Sequence, residues 1–302
     1  MDSVEPAHVA VMRAEVREQL APARGGLFVD CTVGLGGHAT DLLAHGASRL
    51  IGFDRDPAAL VRARQALDTF GPRVELVHGD FRTLDAELAS RGVLTVDGIL
   101  ADLGVSSMQL DTAGRGFSFR RDEMLDMRMD TTAGPTAADL IRDVDEVTLA
   151  NAIFNYGEER YSRRIARSVV EERTRRPIET TGQLADIVRR AVPRRGYQRI
   201  DPATRTFQAI RIWVNRELEG LDVFLREAAA RLAPGGRLAV ISFHSLEDRV
   251  VKHTLRALQA DPSSGIVVRT KRPLVPSEQE LTSNPRSRSA KLRAAERPEV
   301  LA

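Results

Sequence analysis

An acid that closes a strand twenty residues after a glycine turn narrows most what this chain can become. The stretch Asp30-Cys31-Thr32-Val33-Gly34-Leu35-Gly36-Gly37-His38 follows the apolar run Leu27–Asp30 and precedes a helix expected over residues 38–45. Glycines in such a turn let the backbone take positive φ and come close to a ligand. The helix behind them offers unpaired N–H donors at its start. Asp54 closes the next apolar run, residues 50–54, where a carboxylate can accept hydrogen bonds from both hydroxyls of a ribose. Glycine turn and strand-ending acid together point to a nucleoside-containing cofactor. The plainer alternative is a tight turn, with Asp54 capping the next helix.

The surrounding rhythm sets the fold class. Pro57 suits the first turn of a second helix. Residues 74–77 form a third apolar run and Val96–Asp102 a fourth, apolar except for Asp97 and its end, as befits a strand buried on both faces. Short apolar runs alternating with helix-like stretches predict a doubly wound parallel sheet. Beyond residue 110 the rhythm stops. Up to residue 204 only helical spacing is found, over 136–142, 147–156, 158–174 and 182–192. A long helix over 206–232 then leads to a fifth strand at 237–243, and two edge strands are expected at 266–269 and 290–294. The expected fold is α/β. A Rossmann-like domain made of residues 1–110 and 205–302 is interrupted by an all-helical insertion, residues 111–204.

Charge bears on the insertion. The chain carries a net charge of only +2, yet residues 160–211 hold fourteen Arg, no Lys and five acids. Each guanidinium can grip a phosphate with a fork of donors, so this region suits a polyanion; solvated helix faces are the bland alternative. Cys31 is the single cysteine, so one chain can build neither a disulfide framework nor a cysteine zinc site, and no metal is expected. No apolar run nears the roughly 18 residues of a membrane span. The acidic N-terminus lacks the pattern of a signal peptide, and a cytoplasmic protein is expected.

Which nucleoside the site takes is less direct. Gly34-x-Gly36-x-x-Ala39 also satisfies the dinucleotide fingerprint, so a nicotinamide-dependent oxidoreductase competes. Three features weigh against it. The third strand ends in His78-Gly79-Asp80-Phe81, a corner suited to an adenine edge and face. The fourth ends in Asp102-Leu103-Gly104-Val105-Ser106-Ser107, polar groups where such sheets put their ligands. Leu232-Ala233-Pro234-Gly235-Gly236 is a turn typical of methyltransferases. Phe81 reads equally as core, and Asp80 as a helix N-cap.

At these residues the chain resembles the ribosomal RNA small-subunit methyltransferase H family, also called MraW. The matching stretches are Gly36-Gly37-His38, Phe53-Asp54-Arg55-Asp56-Pro57, residues 97–110 (DGILADLGVSSMQL), 115–119 (RGFSF) and 125–130 (LDMRMD). Further on come 156–160 (YGEER), 204–215 (TRTFQAIRIWVN), 242–248 (SFHSLED) and 284–289 (NPRSRS). The resemblance implies a class I methyltransferase sheet with a helical insertion. It implies S-adenosyl-L-methionine as donor, and N4-methylation of a cytidine in the decoding region of 16S ribosomal RNA. The partners it implies are the small ribosomal subunit and its 16S rRNA, with homodimerisation left open. Carried over by position, the cofactor contacts are Gly36, Gly37, His38, Asp54, Phe81, Asp102 and Gln109. Two departures stand out. Where the family carries H-x-P-V-L-L-x-E, this chain has His8-Val9-Ala10-Val11-Met12-Arg13-Ala14-Glu15, and Cys31 replaces a frequent Gly.

Cytosine N4 is a poor nucleophile, because its lone pair is drawn into the ring. A hydrogen-bond acceptor on the amino N–H would sharpen that lone pair. The usual Asp/Asn-Pro-Pro-aromatic motif is missing at the end of strand four, so the candidates are Asp102, Ser106 and Ser107, with His244 or Ser242 after strand five. His244 reads equally as a structural histidine. Phe117 and Phe119 either stack on a flipped base or pin the insertion to the sheet. The candidate RNA grips are Arg163, Arg164, Arg167, Arg194, Arg195 and Arg199, the first three on nearly one helix face; Arg286 and Arg288 are further phosphate contacts. The non-enzymatic alternative is a ribosome-assembly factor that keeps the fold without turnover.

Overall fold

The protein is described by a computed structural model over residues 10–193 and 200–299. The chain divides into two units, residues up to 104 with those from 218 on, and residues 105–217. In chain order the first unit holds α1 (Arg13–Leu20), β1 (Leu27–Asp30), α2 (Gly37–Ala44), β2 (Arg49–Asp54), α3 (Pro57–Leu67), β3 (Val74–His78), α4 (Leu84–Ser90) and β4 (Val96–Asp102). The second unit is helical: α5 (Ser107–Asp111), α6 (Ala137–Asp143), α7 (Glu146–Gly157), α8 (Ser162–Arg173), α9 (Thr181–Ala191) and α10 (Ala203–Asn215). The first unit resumes with α11 (Leu221–Ala230), β5 (Leu232–Ser242), α12 (Ser245–Ala260), β6 (Val267–Val268), α13 (Glu278–Ser283) and β7 (Lys291–Glu296).

The sheet runs β3-β2-β1-β4-β5-β7-β6. Its first five strands are parallel, while β7 lies antiparallel between β5 and β6. This is the doubly wound, Rossmann-like sheet expected from the sequence. Alternation along each strand builds two apolar layers. Phe28, Leu50, Leu100, Ala239 and Ile241 face α1, α2 and α3. Their neighbours Val29, Ile51, Ile99, Leu238 and Val240 face α4, α11 and α12. The strand order reverses at β1, between β2 and β4, which opens a crevice at the carboxyl ends of these strands.

The helical unit has a core of its own. On α8 the buried residues Ser162, Ile165, Ala166 and Val169 fall at helical spacing, and Phe117, Ile153, Leu184 and Phe207 belong to the same interior. The 125–130 stretch is anchored by Asn215, whose side chain accepts from the Met129 N–H (2.7 Å) and donates to the Met127 carbonyl (2.7 Å). Gly116 is required nearby: at φ 72° its Cβ would stand 2.6 Å from the Met124 carbonyl oxygen.

Three elements depart from the sequence expectation. The single helix over 206–232 is two helices, because Arg216 and Gly220 take left-handed conformations at φ 52° and 70°, and these helices belong to different units. The segment at 290–294 is no edge strand; it pairs with β5 and β6 on either side. The observed unit boundaries, 104/105 and 217/218, replace 110/111 and 204/205, since Leu110 and the apolar face of α10 pack in the helical core. Among the described residues no helix is long and apolar enough to cross a membrane.

Candidate functional site

Three adjacent parallel strands end in acids: β2 in Asp54, β1 in Asp30 and β4 in Asp102. The turn after β1 is stitched to both neighbours. The Val33 N–H donates to the Phe53 carbonyl (2.7 Å) and the Gly34 N–H to Asp54 Oδ2 (2.8 Å). On the other side the Thr32 hydroxyl oxygen accepts from the Asp102 N–H (2.6 Å). Gly34 and Gly36 sit at φ 52° and 85°, conformations that a side chain disfavours. Gly37 opens α2 so closely under the N-terminal segment that an added Cβ would lie 3.0 Å from the Ala10 Cβ. That segment is held in turn by the Met12 N–H, which donates to Glu280 Oε1 (2.7 Å).

Asp54 therefore does more than end a strand. Its Oδ2 takes the Gly34 N–H and its Oδ1 the Asp56 N–H (2.8 Å), so it holds the glycine turn while each oxygen keeps acceptor capacity for a further donor. Burial pushes its carboxyl up to about 6, against the pull of those two N–H groups.

Asp30 is 1% exposed. Its Oδ1 accepts from the Thr32 N–H (3.2 Å), but Oδ2 is buried without a partner. Burial pushes this carboxyl up to about 7, the nearby His38 opposing the rise. His38 is 6% exposed, and its Nε2 stands 3.6 Å from Asp102 Oδ2. Burial alone would lower its pKa, yet the carboxylates of Asp102, Asp30 and Asp41 outweigh it and raise the imidazole above its ordinary value. Neither ring nitrogen makes a hydrogen bond, and Asp102 Oδ1 is likewise buried without one. Buried polar atoms without partners are rare in folded proteins and call for a reason.

These residues fit a nucleoside bearing a cationic side arm. The carboxylate with spare acceptor capacity suits a ribose diol, the side-chain-free turn suits close approach, and the acids at β1 and β4, each with one oxygen that makes no hydrogen bond, suit a positive group. Of the expected cofactor contacts, Gly36, Gly37, His38, Asp54 and Asp102 come together here. Phe81 lies 9% exposed in the core, its ring 4.8 Å from that of Phe224. Asp80 caps the turn beside it and binds the Arg82 fork at 2.8 Å. Asp30 and Thr32 were not singled out in the sequence; an acid closing an apolar strand directly before a glycine turn was the available signal.

Gln109, Ser106 and Ser107 belong to the helical unit. Ser106 Oγ accepts from the Gln109 N–H (3.2 Å) and Gln109 Oε1 from the Ser106 N–H (3.0 Å), a reciprocal capping box on α5. Ser107 is the first residue of that helix. His244 caps α12: its Nδ1 accepts from the Glu247 N–H (3.4 Å) and its Nε2 lies 3.1 Å from Glu247 Oε1, so both ring nitrogens face Glu247. Ser242 is 2% exposed, its hydroxyl directed at the Lys291 carbonyl (3.4 Å).

The rings of Phe117 and Phe119 are committed to the helical interior, Phe119 lying 4.7 Å from Phe207. Arg163, Arg164 and Arg167 are exposed on α8, and Arg167 lies 3.7 Å from Glu146. Arg286 and Arg288 are exposed too. Arg194, Arg195 and Arg199 lie outside the described residues.

The chain matches the model of the MraW methylase family over residues 5–298. It is 52% identical over 301 residues to the ribosomal RNA small subunit methyltransferase H of Synechococcus elongatus, covering 98% of this chain and 97% of that one. The protein of the same name from Deinococcus radiodurans is 53% identical over 291 residues, 96% of this chain and 89% of the relative. The one from Pelobacter propionicus is 49% identical over 307 positions, 96% and 98%.

Proposed function

This chain belongs to the MraW methylase family, and on that premise we propose that it transfers a methyl group from S-adenosylmethionine to N4 of a cytidine in the decoding region of 16S rRNA. The observation that carries the reading is the set of buried, partnerless polar atoms on Asp30, His38 and Asp102 beside the glycine turn. The relatives, 49–53% identical, are named for methylation of small-subunit rRNA. Membership of a methylase family sets the nicotinamide reading aside.

S-adenosylmethionine, when bound, supplies a methyl group already activated on a sulfonium. The protein's task is then chiefly positioning, which is worth several kcal/mol of a barrier. Asp54 accepts the ribose hydroxyls with the acceptor capacity that Gly34 and Asp56 leave over. The Gly36–His38 turn brings backbone N–H groups to the ligand. Asp30, whose Oδ2 has no partner, would offer its carboxylate to the positive charge of the bound cofactor. The Asp102 carboxylate, whose side chain is 24% exposed, accepts one N–H of the cytosine amino group, turns the N4 lone pair toward the methyl, and receives the proton that N4 sheds. His38 Nε2, 3.6 Å from Asp102 Oδ2, attracts that carboxylate electrostatically. His244 acts as a helix cap. The Ser106 hydroxyl is engaged in the capping box of α5. The arginine-rich helical unit meets the RNA backbone.

Isotope-labelled S-adenosylmethionine, small subunits lacking the modification and nucleoside mass spectrometry test this reading. Label in N4-methylcytidine is expected. Label on another base or ring atom overturns the assignment, and no transfer at all leaves a binding-only assembly factor.

A further inference from the structure

The helical unit carries an open groove of about 520 Å³ between α8 and the end of α9, lined by Arg164, Asp186, Arg189, Arg190, Val192 and Pro193. Three of these side chains carry guanidinium groups and one a carboxylate. Arg189 is already committed, bonding Asp186 at 3.0 Å and Asp201 at 2.9 Å, and so it neutralises the only acid among the described lining residues. Arg164 is exposed and has neither hydrogen-bond nor ion-pair partner among the described residues. Arg190 is 61% exposed and reaches Glu172 only at 3.9 Å, while Glu172 is bound more closely by Arg176 at 2.9 Å. An exposed pair of that length is worth at most about 1 kcal/mol, so Arg190 can exchange partners at little cost. The carboxyl end of α9 adds about half a negative charge, which Arg189 and Arg190 outweigh.

We infer that this groove is a binding site for one backbone phosphate of the substrate RNA, gripped from opposite walls by Arg164 and Arg190. Two planar forks converging on one anion suit the tetrahedral oxygens of a phosphodiester. Arg163, one residue along α8, is equally exposed but does not line the groove, and Arg167 is drawn to Glu146. The grip is therefore narrower than the α8 stripe as a whole. This inference rests on rRNA being the substrate.

The test compares R164Q, R190Q, the double variant R164Q/R190Q and R163Q, using the full chain and deproteinised 16S rRNA over a range of salt. One lost phosphate contact lowers the slope of log K against log salt by about 0.7–0.9 and weakens binding about five- to tenfold at 0.1 M salt. The double variant should show that loss, hardly larger than either single change, because both arginines serve one phosphate. R163Q should bind as the unmodified protein does, and S-adenosylmethionine affinity by calorimetry should not change. An unaltered slope in the double variant overturns the inference. So does an equal loss in R163Q, which would mean a diffuse field. A loss on assembled subunits with none on bare rRNA would give the groove to an acidic protein segment instead. Methyl transfer by the unmodified protein is read separately, so failure of the proposed function does not resemble failure of the groove.

Discussion

Replacing Asp30 by Asn should stabilise the ligand-free protein at pH 8 while weakening its hold on the cofactor. The carboxyl moves from 3.8 to about 7 on burial, about 3 units at roughly 1.4 kcal/mol each, or a ceiling of ~4 kcal/mol. An acid raised in the folded state contributes fully below its unfolded value, and that contribution is lost as pH climbs through the folded one. The unmodified protein should thus lose stability between about pH 4 and 7. His38 on α2 faces the group with opposite charge, and Asp102 on β4 and Asp54 on β2 with like charge. The value of about 7 already includes the attraction to His38; the Asn amide N–H, buried where Oδ2 has no partner, takes back part of the ceiling, so a net gain of about 1–2 kcal/mol is expected for D30N at pH 8. The Asn oxygen can still accept from the Thr32 N–H, and the packing is kept. Chemical denaturation from pH 4 to 8 should show the two proteins closest at pH 4 and diverging as pH rises. Calorimetry should show weaker binding of S-adenosylmethionine by D30N. A variant less stable than the parent at pH 8, or with the same pH slope, would refute the argument that burial dominates this carboxyl.

Asp54→Ala should abolish cofactor binding in calorimetry and also cost about 1–3 kcal/mol in denaturation, because the Gly34 and Asp56 N–H groups lose their acceptor. His244→Ala should lower stability by about 1 kcal/mol, as loss of an N-cap does, yet keep methyl transfer within a few-fold; a thousandfold loss would make it a catalytic residue. Asn215→Ala should cost about 2–4 kcal/mol, because two buried main-chain groups at Met127 and Met129 lose their partner. Protease sensitivity confined to the helical unit is the expected sign, and an unchanged denaturation midpoint would contradict the anchoring role.

What the residues themselves determine is local. Alternating apolar runs, an acid at the end of Leu50–Asp54 and glycines that tolerate positive φ specify β1 to β4, the turn and Asp54, because those signals lie within a few residues of one another. The helical spacing of α7 and α9 is legible for the same reason. The break at Arg216 was not, since a left-handed residue other than Gly carries little signal in its own identity. Only the tertiary structure decided that Asp30 and Asp102, far apart in the chain but tied by the Thr32–Asp102 bond across 70 positions, stand on neighbouring strand ends around His38. Strand order makes them neighbours, and burial then sets their charge. It also decided that β7 lies inside the sheet and that, of the three exposed arginines on α8, one lines a groove while another is drawn to Glu146. A charge's availability depends on the partners that folding brings to it, and those partners come from distant parts of the chain.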